Sequence, residues 1–207
     1  MIGTSWSHRL ARFLVRPLVG TRITPNHLTT LRLVTGVLAC AALLPADGGW
    51  LRCAGWLWLG SALLDRADGE LARISGMSTP GGHRYDYLAD VSVNTAFFVA
   101  IGFGLRNTWL GAWSIPLGLL GGASILLASM FAELLERGSA TGTKGITGRW
   151  GFDPDDALYL MGPLAWLGWL SPILVGASVG ATAVMIIMGV RLQRQRRVAG
   201  TLSGDEA

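Results

Sequence analysis

LDRADGELARISGMSTPGGHRYDYLAD, from Leu64 to Asp90, sets four carboxylates at the inner ends of two otherwise apolar segments. Asp65 and Asp68 are three residues apart and Asp86 and Asp90 four apart, so on helices each pair shares one face and the two faces can converge. Like charges brought together at low dielectric cannot all stay ionised without neutralisation, and divalent cations are the natural neutraliser. No Cys or His stands at matching spacing, so all-oxygen ligation points to hard ions, Mg²⁺ or Mn²⁺, two of them for four carboxylates. Gly69, Ala72 and Gly82 offer small surfaces where a ligand can approach the backbone. The plainer alternative is a pair of charged helix ends facing water.

The surrounding composition puts this cluster in a membrane. Of 207 residues 51% are hydrophobic, nine are Trp and only 14% are charged, too apolar for an ordinary soluble domain. The apolar residues fall in runs of spanning length separated by short charged stretches. The formal net charge of +4 is then a topology signal rather than a nucleic-acid footprint, and no nucleic-acid partner is expected. Cys40 and Cys53 both lie in apolar runs and read as small hydrophobes, with neither a disulfide nor a metal.

The expected fold is all-α: a polytopic membrane protein with six transmembrane helices and an N-terminal amphipathic surface helix, forming one domain over residues 1–198. Residues 4–19 place Trp6, Leu10, Phe13 and Leu14 on one face and Arg9, Arg12 and Arg16 around the other, the pattern of a helix lying on a membrane. Thr24 and Pro25 cap a first span over 25–44, and Pro45 to Gly49 forms the turn that closes it. Spans follow at 50–73, 84–105 and 109–135. The last of these carries Gly118 and Gly122 at a spacing that permits close helix contact, either internally or in a dimer. After a glycine-rich polar loop, Asp153, Pro154, Asp155 and Asp156 read as a cap for a span over 155–170, with metal binding the less favoured role for these aspartates. Ser171 and Pro172 open the last span, 172–190, where Gly176 and Gly180 repeat the small-residue spacing, and 199–207 reads as a disordered tail.

Fifteen of the seventeen Lys and Arg residues fall on one side of this arrangement, Arg32 among them; Arg52 and Arg106 fall on the other. The positive-inside rule then puts both termini and the aspartates on the cytoplasmic side of the cytoplasmic (inner) membrane. Ionisable residues at membrane depth mark function. Paired carboxylates with divalent metals suit phosphoryl transfer, in which the ions clamp a pyrophosphate and a carboxylate takes a proton from an attacking hydroxyl. A cation-conducting transporter is the alternative of another class. It would need carboxylates spread through the membrane's depth, whereas these are bunched at one face.

The full pattern, Asp65-x-x-Asp68-Gly69-x-x-Ala72-Arg73, eight residues, then Gly82-x-x-x-Asp86-x-x-x-Asp90, resembles the signature of the CDP-alcohol phosphotransferase (CDP-alcohol phosphatidyltransferase) family at every defined position. Asn26, Leu28, Thr29 and Arg32 resemble the short segment that precedes the family's first span. The resemblance implies a CDP-alcohol donor, release of CMP, a role in phospholipid biosynthesis, and a homodimer. It implies Asp65, Asp68, Asp86 and Asp90 as metal ligands and Asp90 also as the catalytic general base. Asp68, Gly69, Ala72, Arg73, Gly82, Asn26 and Thr29 would form the CDP site, although Arg73 can also be read as a topology anchor. The donor is expected to be CDP-diacylglycerol and the acceptor a small polar alcohol, phosphorylated or not, held by Arg84, Arg137, Lys144 and Arg149. Those cations can equally be topology charges beside membrane lipids. The reverse arrangement, a CDP-linked head group passed to a lipid alcohol, uses the same motif.

Overall fold

The computed structural model describes residues 6–138 and 158–204, and among them every regular element is helical. Helix α1, Trp6–Val15, is followed by a 3-10 turn and by Gly20 at φ +83, a backbone conformation that L side chains resist. Helix α2 is Pro25–Leu43, α3 is Gly48–Ser75 and α4 is Pro80–Gly104. Helix α5 is Ser114–Gly138, α6 is Met161–Trp166 and α7 is Leu170–Gly204.

Local sequence explains where these helices begin and end. At the start of α2 the Thr24 N–H donates to His27 Nδ1 at 3.2 Å. Asp47 Oδ1 accepts from the Gly49 and Trp50 amides at 2.9 and 3.0 Å, so the expected turn at 45–49 also caps the next helix, and α3 starts before residue 50. Gly76, at φ +70, ends α3 in the left-handed conformation that favours glycine. Thr79 Oγ1 then accepts from Gly82 N at 3.0 Å, and with Pro80 in the first turn it starts α4 four residues before the expected residue 84. Gly82 therefore lies inside the helix that carries Asp86 and Asp90.

Among the described residues four segments are long and apolar enough to cross a membrane: Pro25–Leu43, Pro80–Asn107, Gly111–Leu135 and Leu170–Gln195. Helix α3, at 28 residues, is as long as the longest of these, but Arg52 and the charges from Asp65 onward dilute its apolar character. The expected span at 155–170 differs more. Of it the structure describes 158–170, which hold a 3-10 turn over 158–160 and the six-residue α6, and Gly168, at φ +70, ends that segment before α7. Helix α7 begins at Leu170, so Ser171 and Pro172 sit in its first turn, and it continues to Gly204 through most of the segment expected to be disordered. Residues 139–157, including Lys144, Arg149, Asp153, Asp155 and Asp156, lie outside the described residues.

Helix α2 packs on α3 and α4, α4 on α5, α5 on α7, and α3 on α1 and α6. The central layer is built around Trp58, which stacks on Phe97 with ring centroids 3.6 Å apart and donates Nε1 to the Leu158 carbonyl at 2.8 Å. Gly118 and Gly122 serve the α4–α5 contact. A Cβ at Gly118 would lie 2.7 Å from the Phe98 carbonyl oxygen and 2.8 Å from Gly102 Cα, and one at Gly122 would lie 3.0 Å from the Thr95 carbonyl oxygen. Ser114 Oγ donates to the Gly102 carbonyl at 2.7 Å at the same crossing, the small-residue and hydroxyl contact common between membrane helices. By contrast, Gly176 and Gly180 face open space.

Helix α1 turns Ser7, Ala11 and Val15 into α3 and leaves Trp6, Leu10, Phe13 and Leu14 exposed. Both cysteines are free; Cys40 is buried as expected, whereas Cys53 is exposed.

Candidate active site

The beginning of α2, the end of α3 and the beginning of α4 meet at one end of the bundle. Gly36 permits this approach: a Cβ there would lie 2.6 Å from Val93 Cγ1. One turn earlier on α2, Arg32 is carried into the bundle with only 3% of its surface exposed. Its carbonyl accepts from Ser61 Oγ on α3 at 3.1 Å.

Ligand atoms of Asp65, Asp68 and Asp86 all lie within 4.8 Å of one another. The spacing of three on α3 and the first aspartate of α4 do converge. Asp90 is held differently: its Oδ1 accepts from Arg32 Nη2 at 2.5 Å and from Asn94 Nδ2, one turn along α4, at 2.7 Å. Arg32 Nη1 lies 3.0 Å from Asp65 Oδ1 and 3.6 Å from Asp86 Oδ1. Arg32, counted with the topology charges in the sequence, is therefore an interior cation shared by three of the four aspartates. Its position was legible, because it is the one Lys, Arg, Asp or Glu in α2, and a lone charge inside an apolar span marks a site. Asn94 carried no comparable signal.

Asp68 is 3% exposed, and its Oδ2 accepts from Thr29 Oγ1 at 2.7 Å. Asp68 Oδ1 and Asp86 Oδ1 are buried without a hydrogen-bond partner. A buried carboxylate oxygen without a donor is costly, and a cation is the group that relieves it. One guanidinium against four carboxylates also leaves surplus negative charge. Three convergent carboxylates with unpartnered buried oxygens thus fit a divalent ion that prefers oxygen ligands.

The remaining expected residues surround this trio unevenly. A Cβ at Gly69 would meet nothing within 4 Å, leaving open space beside Asp68. A Cβ at Gly82 would lie 3.2 Å from Asn26 Oδ1, so the starts of α2 and α4 meet there. Ala72 is half-buried; Arg73 is exposed and pairs with Glu70. Arg84 and Arg137 line one cavity of about 310 Å³ with His83, Tyr87 and Glu133, between the start of α4 and the end of α5. Arg137 Nε is also paired with Glu133 Oε1 at 2.9 Å. An apolar groove of about 630 Å³ runs between α2, α4 and α5, from Val91 beside Asp90 to Phe103.

Comparison with known proteins gives a family and a fold. The family model described as CDP-alcohol phosphatidyltransferase matches residues 22–192, which takes in every aspartate of the cluster. No curated protein matches the sequence. The fold is similar to that of phosphatidylinositol phosphate synthase (PgsA1) of Mycobacterium tuberculosis. For that protein with CDP-DAG bound, the TM-score is 0.56 at 18% identity, covering 93% of this chain and 92% of the other. For its complex with manganese and citrate the TM-score is also 0.56 at 18% identity, covering 92% and 87%.

Proposed function

The chain belongs to the CDP-alcohol phosphatidyltransferase family, and from that premise we propose that it transfers a phosphatidyl group from CDP-diacylglycerol to a small, phosphorylated alcohol and releases CMP. The observation that carries this reading is the convergence of Asp65, Asp68 and Asp86 within 4.8 Å, with buried oxygens on Asp68 and Asp86 that no hydrogen bond satisfies. The lipid donor is supported by the apolar groove that begins at Val91, the residue after Asp90, and offers room for an acyl chain. PgsA1, the protein of similar fold, was solved with CDP-DAG in one case and with manganese in another.

In this mechanism Asp65, Asp68, Asp86 and Asp90 would hold two divalent cations, Mg²⁺ or Mn²⁺. When bound, these ions neutralise the donor's diphosphate and the charge that develops on departing CMP. Asn26, Thr29, Gly69, Ala72, Arg73 and Gly82 form the CDP site. Thr29 fixes Asp68 through Oδ2 and directs Oδ1 to the ligand side. The acceptor hydroxyl attacks the phosphorus that bears the diacylglycerol; a new P–O bond forms and the bond to the CMP oxygen breaks. Asp90 takes the hydroxyl proton. Because Arg32 and Asn94 both donate to Oδ1, Oδ2 is the oxygen that receives it.

The acceptor's phosphate is assigned to Arg84 and Arg137, whose shared cavity lies between α4 and α5, with Lys144 and Arg149 completing the set. In this reading α3 and the segment 155–170 add two spans to the four apolar ones, making six within a single domain over 1–198. Helix α1 lies on the membrane surface through its exposed Trp6, Leu10, Phe13 and Leu14. Both termini and the aspartates face the cytoplasm across the inner membrane. A homodimer remains part of the reading; Gly176 and Gly180 offer the open small-residue face for it, since Gly118 and Gly122 are used within the protomer.

The test offers purified protein, labelled CDP-diacylglycerol and a panel of glycerol 3-phosphate, inositol 1-phosphate, inositol, serine, choline and ethanolamine, with CDP-choline plus diacylglycerol as the reverse pairing. A lipid product carrying a phosphorylated polyol supports the reading. Best turnover with an unphosphorylated alcohol, or with CDP-choline, contradicts it.

A further inference from the structure

Glu70 sits two residues past Asp68 and one past Gly69, at a motif position where the family signature fixes no residue type. Its side chain is a carboxylate with 0% exposure, yet it lies outside the metal-binding trio. Three partners converge on it, two guanidinium groups and an imidazole. His8 Nδ1 lies 3.0 Å from Oε1, Arg73 Nη1 donates to that same oxygen, and Arg12 Nε donates to Oε2 at 2.9 Å. Two of the three come from α1 and the third is the motif arginine.

Packing alone does not call for this cluster. Val15, Leu28, Ala67 and Leu71 already form an apolar contact between α1, α2 and α3. A buried ion group in such a place is often no better for stability than well-packed apolar residues. What it adds is geometry. Arg73 is 59% exposed, and a long side chain at that exposure loses considerable rotamer freedom when it binds a ligand. A guanidinium pinned at one nitrogen by a carboxylate that is itself locked presents its remaining N–H groups in a fixed fork, the arrangement that suits a diphosphate.

We propose that Glu70 is a positioning residue that transmits the docking of α1 to the donor site, with His8 and Arg12 locking Glu70 and Glu70 orienting Arg73 toward the CDP diphosphate. Helix α1 is then part of the donor site although none of its atoms touches the nucleotide. This rests on the reading of Arg73 as a CDP-binding residue.

The experiment compares wild type, Glu70→Gln, Arg12→Ala, Arg12→Lys and the control Arg9→Ala, each purified in detergent with Mn²⁺. CDP affinity is read by calorimetry, and donor and acceptor KM by CMP release. Arg12→Ala and Glu70→Gln should each weaken CDP binding and raise donor KM about tenfold, as loss of an orienting partner does, with acceptor KM unchanged. Arg12→Lys should recover part of the loss. Arg9→Ala, which removes the same charge from α1 at a residue not bonded to Glu70, should match wild type. If Arg12→Ala lowers the thermal midpoint but binds CDP like wild type, α1 is merely docked and the relay is wrong. Should Glu70→Gln not fold, the Arg12 variants decide alone. Wild-type protein that fails to bind CDP overturns the donor reading itself, a different result from a normal wild type with an unaffected Arg12→Ala.

Discussion

Arg32 Nη2 on α2 donates to Asp90 Oδ1 on α4 at 2.5 Å, while the neighbouring Nη1 sits 3.0 Å from Asp65 on α3. A single buried guanidinium thus ties the three site helices together and takes up part of the charge that bound cations would neutralise. Removing it leaves several interior carboxylates uncompensated, a change that costs about 3–5 kcal/mol in buried ion pairs. Arg32→Leu should therefore be strongly destabilised in EDTA and recover much of that loss in Mn²⁺. Thermal unfolding with and without the ion measures it; a variant with the same midpoint as wild type in EDTA would refute the role.

Thr29 supplies the hydroxyl that holds Asp68 Oδ2 at 2.7 Å, with both residues buried. Thr29→Val keeps the shape and removes the donor. Loss of such a supporting hydrogen bond typically costs 10–100-fold in metal affinity, and Mn²⁺ titration followed by electron paramagnetic resonance should register a drop of about that size. Unchanged affinity would place Asp68 outside the metal-binding set.

At the α4–α5 crossing the backbones approach too closely for any side chain, since a Cβ at Gly118 would meet the Phe98 carbonyl at 2.7 Å. Gly118→Ala should destabilise the protomer by about 1–3 kcal/mol through overpacking. Gly176→Ala, facing open space, should leave protomer stability alone. Equal midpoints for the two variants in detergent would show that α4 and α5 can separate without penalty.

The contrast between these two glycine pairs indicates what the sequence could convey. Small-xxx-small spacing announced close contact in both places, but only the packed helices show that Gly118 meets Gly102 while Gly176 meets nothing. The carboxylate trio was legible because helical spacing alone puts Asp65 and Asp68 on one face, and the motif fixes their distance along the chain from Asp86. Arg32 was visible but misassigned: positive-inside counting treats every arginine near a span end alike, whereas burial separates this one from Arg9 and Arg16. The turn at Gly168, near the end of the segment expected at 155–170, depends on φ +70, which composition does not reveal. Asn94 and Glu70 are ordinary polar residues in sequence. Their roles come from partners 4 and 62 residues away, the second a long-range contact that no local pattern encodes.

Asp90 Oδ1 accepts from both Arg32 and Asn94, which leaves Oδ2 for the acceptor proton, so its loss should affect chemistry more than donor binding. Asp90→Asn preserves the shape but cannot take the acceptor proton. CMP release should fall by about 10² or more, as for loss of a general base, with donor KM changed far less. Near-normal turnover would remove Asp90 from the base role.

CMP release from CDP-diacylglycerol under chelation tests the two-cation site most directly. With the preferred acceptor present, turnover should vanish in excess EDTA and return on addition of Mg²⁺ or Mn²⁺, and Asp65→Asn, Asp68→Asn and Asp86→Asn should each stay inactive at ion concentrations that saturate wild type. Turnover that persists in EDTA, or that any of the three variants retains, would contradict the account.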